Sequence, residues 1–168
     1  MTSPRWFTLA KSLIGTREIV GPKHSPVIMG WIARLGAKIL GIKVTDDETP
    51  WCGTFMAHVM NESGIAPPPV AVRASSWGTW GRALAGPRLG CVLIFTRQGG
   101  GHVGLYVGER SDAYRVLGGN QGNAVSETWI AKNRLATGGI RWPNGEPLPN
   151  PARVMLSNDG APLSRNEA

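Results

Sequence analysis

Cys91-Val92-Leu93-Ile94-Phe95-Thr96, then Gly99-Gly100-Gly101, then His102-Val103-Gly104-Leu105-Tyr106-Val107 is the stretch that decides the fold class. Two short runs rich in β-branched and aromatic residues, joined by a glycine turn, predict an antiparallel hairpin. The first strand is entered through Pro87 and Gly90. Downstream, Tyr114-Arg115-Val116-Leu117 predicts a third strand and Gly138 to Trp142 a fourth. Upstream the period changes. Trp6, Leu9, Leu13 and Ile14 predict a helix from Pro4 to about Ile14, ended by Gly15. Val27, Ile28, Trp31, Ile32, Leu35 and Ile39 predict a second from Pro26 to about Leu40, weakened by Gly30 and Gly36. A third is expected from Pro50 to Ser63, with Thr49 as N-cap and Pro50 in the first turn, stopped by Gly64 and Pro67-Pro68-Pro69. Ala66 to Gly86 reads as irregular. Helices followed by a short antiparallel sheet predict an α+β architecture.

A chain of 168 residues fits one domain. We place it over residues 1–143 and read 144–168 as a Pro-rich, polar, poorly ordered tail. The net charge of +7 draws the protein to polyanions. Its 18 Lys and Arg residues are scattered, without a run of even three, which argues against nucleic acid and leaves an anionic cell-envelope polymer. Lys11 interrupts the N-terminal apolar stretch before it reaches signal-peptide length, and no stretch approaches the ~20 apolar residues of a membrane span. The expectation is a monomer made in the cytoplasm, without a signal peptide or membrane span, which something else must deliver if it acts on the wall. His24, His58 and His102 are too far apart in sequence for a metal-ligand motif, and neither metal nor cofactor is expected. The two cysteines allow one disulfide at most.

Cys52 heads an apolar helical stripe continued by Phe55, Met56, Val59 and Met60, so spacing alone fits a core thiol. Its place in the first turn also fits a nucleophile, because unpaired N–H groups there favour a thiolate and can steady an oxyanion. A Thr49 cap would compete for one of those N–H groups. His102 shares a strand face with Gly104, Tyr106 and Gly108, and the glycines leave that face shallow enough for a helix to approach. The thiol and imidazole can then meet at one end of the interface; the plain alternative for His102 is a turn-flanking histidine. A group must also orient the ring. Asn120, in Leu117-Gly118-Gly119-Asn120-Gln121, is the first choice and Gln121 the competing one, although this is also ordinary turn sequence. His58 and His24 read as surface or boundary residues, and Cys91 as a structural thiol.

At these residues the chain resembles the papain-like peptidoglycan hydrolases, the NlpC-type peptidases and CHAP domains, closest to a small phage- and prophage-associated subgroup. The matching stretches are Asp46-Asp47-Glu48-Thr49-Pro50-Trp51-Cys52 with Phe55, Pro87-Arg88-Leu89-Gly90 into Val92-Leu93-Ile94-Phe95, Gly101 to Glu109, and Leu117 to Gln121. Ser76-Trp77 and Arg141-Trp142-Pro143 fit as well. The likeness runs from about Trp6 to Pro143. It implies a papain-like fold, with Cys52 attacking an amide, His102 as base and Asn120 orienting the ring. It also implies a cysteine amidase or peptidase, endolysin-like, that degrades cell-wall peptidoglycan through a thioester. Trp51, Trp77, Trp80 and Gln121 are candidate substrate contacts. Two positions depart from the pattern: Trp51 stands where NlpC-type enzymes usually carry Asp and CHAP domains Gln or Glu, and Asn120 where CHAP domains often carry Glu. The alternatives are a papain-like protease or toxin acting on proteins, and a non-catalytic wall-binding module.

Overall fold

The structure is a computed structural model that describes residues 3–19, 21, 23–47, 49–149 and 153–159. Three helices come first: α1 (Arg5–Ser12), α2 (Pro26–Leu40) and α3 (Cys52–Glu62). A 3-10 turn at Ala74–Thr79 leads into β1 (Arg82–Ala83), β2 (Val92–Arg97), β3 (Gly100–Glu109), β4 (Ala113–Gly118), β5 (Ser126–Ala131) and β6 (Leu135–Trp142). The strands form one antiparallel sheet in the order β1-β6-β2-β3-β4-β5, so β3 is central. The α+β expectation holds. Among the described residues, no helix is long and apolar enough to cross a membrane.

Local chemistry explains the helix ends. The Ser25 hydroxyl accepts from Ile28 N–H and Pro26 opens α2, while Gly41 closes it at φ 87°. Gly36, at φ 70° and ψ 171°, kinks α2 with a conformation that glycine adopts without penalty. α1 buries Trp6, Phe7 and Ala10, and the Trp6 indole donates to the Gly90 carbonyl at 2.7 Å, tying this helix to the entry of β2.

α3 starts at Cys52, two residues later than the sequence suggests. Thr49 is not its cap. The Thr49 N–H and hydroxyl are both spent on Asp46 Oδ1, at 2.6 and 2.9 Å, and Trp51 occupies the cap position with no side-chain hydrogen bond to the helix. The expected competition between a threonine cap and the first-turn N–H groups therefore does not arise. Phe55, Met56, Val59 and Met60 are fully buried, as their stripe predicts.

The hairpin pairs Phe95 with His102 and Arg97 with Gly100. β5 was not expected: it is an edge strand, and Ser-Glu-Thr-Trp-Ile-Ala has little of the apolar alternation that marks a strand. Gly108 and Gly104 do not make room for a helix. A Cβ on Gly108 would strike Leu156, and one on Gly104 would lie 2.5 Å from Val116 Cγ1. The close helix contacts are made elsewhere. A Cβ on Gly119 would stand 2.6 Å from Phe55 Cβ, and one on Gly53 would strike the carbonyls of Ala71 and Val72.

The described part of the tail packs on the domain, where the sequence reading expects poor order. Glu109 N–H donates to the Val154 carbonyl at 2.8 Å, Leu156 N–H donates to the Glu109 carbonyl at 2.9 Å, and Leu156 is buried. Arg5 pairs with Glu146 at 2.7 Å. Residues 150–152 and 160–168 lie outside the described residues.

Candidate active site

Cys52, the first residue of α3, lies against the central strand. The Val103 and Gly53 N–H groups point at its sulfur, so the thiol sits beside the His102–Val103 peptide. Among the described residues, no hydrogen bond joins Cys52 to His102. Both side chains are largely buried, Cys52 at 4% and His102 at 7% exposure, and Cys52 lines a cleft of about 630 Å³.

The ring is oriented by Gln121, not by Asn120. His102 Nε2 lies 2.8 Å from Gln121 Oε1. Asn120 sits at φ 58° and supplies the left-handed turn that carries the chain from β4 back toward the ring. Gln121 is correspondingly not free to contact substrate. Its amide nitrogen donates to the Val116 and Ser126 carbonyls at 3.1 and 2.6 Å, and its own backbone carbonyl accepts from the Ser126 hydroxyl at 2.9 Å.

These bonds fix a tautomer. Carbonyls only accept, so the Gln121 NH₂ must face Val116 and Ser126 and its oxygen must face the histidine. His102 Nε2 is then the protonated nitrogen. In the neutral ring Nδ1 carries the lone pair, and no described residue hydrogen-bonds it. Gly118 clears the space for this pair: a Cβ there would lie 2.6 Å from Gln121 Oε1 and 3.3 Å from His102 Nε2. The sequence signal for Gly118 was its place at the end of a strand ahead of a polar turn, but its purpose is visible only in three dimensions.

Electrostatics favour a neutral pair. Burial pushes the Cys52 thiol above its ordinary value, against the smaller lowering by the Val103 and Gly53 N–H groups and the Arg97 charge. Burial also lowers His102, with the Arg97 and Arg134 charges acting in the same direction and the Gln121 bond opposing them. Burial thus acts against the thiolate expected from the helix position. A neutral imidazole with an open Nδ1 is the form that can accept a thiol proton, and the uncapped first turn of α3 offers N–H groups for an anion.

The tryptophans do not line the cleft. Trp51, Trp77 and Trp80 are core residues whose indole N–H groups are satisfied by Glu18 Oε1, the Ala71 carbonyl and the Ala66 carbonyl, at 3.0, 3.0 and 2.9 Å. Arg73, Ala74, Ser75, Arg97 and Gly101 are among the residues that do. His58, read from the sequence as a surface or boundary residue, is buried and stacks on Trp31 at 4.8 Å. His24 is half-buried and lies 3.0 Å from Asp47.

Asp47 is a residue the sequence reading left without a role. Fully buried, it accepts from Ile19 N–H and Ser25 N–H at 2.8 and 2.6 Å and so fixes the loop before Cys52 to the start of α2. Burial would raise its carboxyl, but these N–H bonds and His24 hold it below the ordinary range. Cys91 is a buried free thiol pushed up to about 12 by desolvation, as expected for a structural cysteine. No protein-family model matches this chain, and no curated protein matches it at a significant level.

Proposed function

We propose that the protein is a papain-like cysteine amidohydrolase or peptidase that cleaves an amide bond in bacterial peptidoglycan. The observation that carries the enzyme reading is the one-way hydrogen bond from His102 Nε2 to Gln121, which leaves Nδ1 as a base on the strand that touches the Cys52 thiol. The peptidoglycan reading rests on the sequence resemblance and on the basic charge.

The reaction starts from the neutral pair. As Cys52 Sγ bonds to the amide carbon, its proton passes to His102 Nδ1 and the carbonyl π-electrons move onto oxygen. N–H groups of the α3 first turn, Cys52 among them, hold that oxyanion. Gln121 Oε1 stabilises the imidazolium through Nε2–H. Collapse of the tetrahedral species breaks the C–N bond, and Nδ1–H protonates the leaving amine. Water then attacks the thioester with Nδ1 as base, releasing the acid and restoring the thiol. In this reading the protein works as a monomer that reaches the wall after release or delivery.

The test is digestion of purified peptidoglycan, with the new termini identified by mass spectrometry. New amine and carboxyl termini formed by the wild type and absent with Cys52→Ala support the proposal. Binding to the wall without cleavage would indicate the binding-module reading. Cleavage of protein substrates alone would indicate the protease reading.

A further inference from the structure

The cleft beside Cys52 is cationic. Arg73, just before the 3-10 turn, and Arg97, at the end of β2, both line it and are both exposed. Neither side chain forms an ion pair or hydrogen bond with a described residue, whereas Arg134 nearby is tied to the Thr96 carbonyl at 3.2 Å. No Asp or Glu occurs among the described lining residues. The uncapped N-terminus of α3 reaches the same space and adds positive potential.

This arrangement acts unequally on the two reacting groups: the Arg97 charge favours an anion at Cys52. Arg97 and Arg134 disfavour a positive charge on His102, yet an imidazolium must form when the thiol attacks. A substrate anion bound in the cleft that Arg73 and Arg97 line would offset that penalty at the moment of attack. We propose that the cleft selects amides flanked by a free carboxylate on the neighbouring residue, and that Arg73 and Arg97 are the specificity residues that bind it. The proposal rests on the cysteine-hydrolase reading for its substrate, but the anion preference of the cleft can be measured without turnover.

The measurement compares alkylation of Cys52 by iodoacetate, an anion, and by iodoacetamide, its neutral analogue, followed by mass spectrometry of the Cys52 peptide. At low salt and fixed pH, the iodoacetate-to-iodoacetamide rate ratio in the folded protein should exceed that of the urea-unfolded chain by roughly tenfold. It should fall toward the unfolded ratio at about 1 M salt. It should fall likewise in Arg73→Gln/Arg97→Gln, whose changes are confined to exposed side chains. A folded ratio equal to the unfolded one, or a salt-dependent ratio untouched by the double substitution, would overturn the assignment. A second arm compares hydrolysis of a short wall peptide bearing the free carboxylate with hydrolysis of its amidated form. The free acid should be cut about tenfold better in kcat/KM, with kcat contributing as well as KM. If neither peptide is cut while the alkylation ratio stays high, the hydrolase reading fails and the anion preference stands. If both are cut equally and the ratio is ordinary, the reverse holds.

Discussion

β3 carries a buried polar group near each end, and the two ends are built in opposite ways. At Glu109 every bond is closed. Its carboxylate, 1% exposed, accepts from the Tyr106 hydroxyl at 2.8 Å, from Lys132 Nζ at 2.6 Å and from Arg153 Nη1 at 3.3 Å. Val154 N–H in turn donates to the Tyr106 oxygen at 3.1 Å, so the network also holds the tail strap. At His102 only Nε2 is tied down, and Nδ1 and the neighbouring thiol are left without a strong partner. A saturated network resists change and contributes order; an incompletely paired one keeps valence for chemistry. Burial is common to both ends, so the number of satisfied bonds is what separates the closed end from the open one.

Substitutions should therefore split stability from turnover. The largest effect is expected at the open end. His102→Ala should lower turnover by about 10³-fold or more on peptidoglycan, with only a small change in the urea unfolding midpoint. Glu109→Ala should do the reverse. It strands Lys132 and the Tyr106 hydroxyl and frees the strap, costing about 3 kcal/mol in urea unfolding, while turnover per folded molecule stays within about twofold. If Glu109→Ala abolished turnover in molecules that remain folded, the contrast between the ends would be broken.

A smaller effect sharpens the contrast at one turn. Gln121→Leu removes the acceptor at Nε2 and should reduce turnover by about 10- to 100-fold. Asn120→Gly keeps the left-handed backbone and should change it by less than about twofold. Steady-state assays of the two variants decide between them, and the opposite ranking would return the orienting role to Asn120.

The smallest effect concerns pH. His102 and His58 are both lowered by burial, the latter with Glu62 opposing and Arg34 assisting. Below about pH 6.5 the unfolded chain therefore binds protons that the folded chain does not, so stability falls as pH falls below that value. The acid limb of turnover should also lie below pH 6.5, because Nδ1 stays free until His102 protonates. His58→Phe should flatten the stability profile and leave the acid limb in place. An acid limb above pH 6.5 would contradict the lowering of His102 by burial.

Much of this fold is legible because its burial is periodic. The stripe of α3 and the hairpin of β2 and β3 announce themselves in the spacing of Phe55, Met56 and Val59 and in the apolar runs around the glycine turn. β5 and the 153–157 strap are not legible, because what holds them is supplied from far along the chain. Leu156 becomes a core residue only because Gly108 leaves space for it. The sequence reading brings Cys52 and His102 to one region, and the structure places the thiol beside the strand that carries the ring. The choice between Asn120 and Gln121 was not legible, since adjacent residues share every sequence argument and a backbone angle of 58° decides which one reaches the ring. The tryptophans misled for a similar reason. Trp51, Trp77 and Trp80 suit a substrate cleft by type, but partners for their N–H groups arrive from Glu18 and from loop carbonyls at Ala71 and Ala66. The thiolate expectation weighed the helix end without the desolvation that opposes it.

His102 should rest as a neutral ring protonated on Nε2, with Nδ1 open to take the Cys52 proton. Nitrogen-15 NMR of the histidine-labelled protein, assigned with His102→Gln, reads this directly at pH 7. The expected spectrum shows a protonated Nε2 coupled to its hydrogen and an Nδ1 shift typical of a bare lone pair, with titration only below pH 6.5. A proton on Nδ1, or an imidazolium at pH 7, would contradict it.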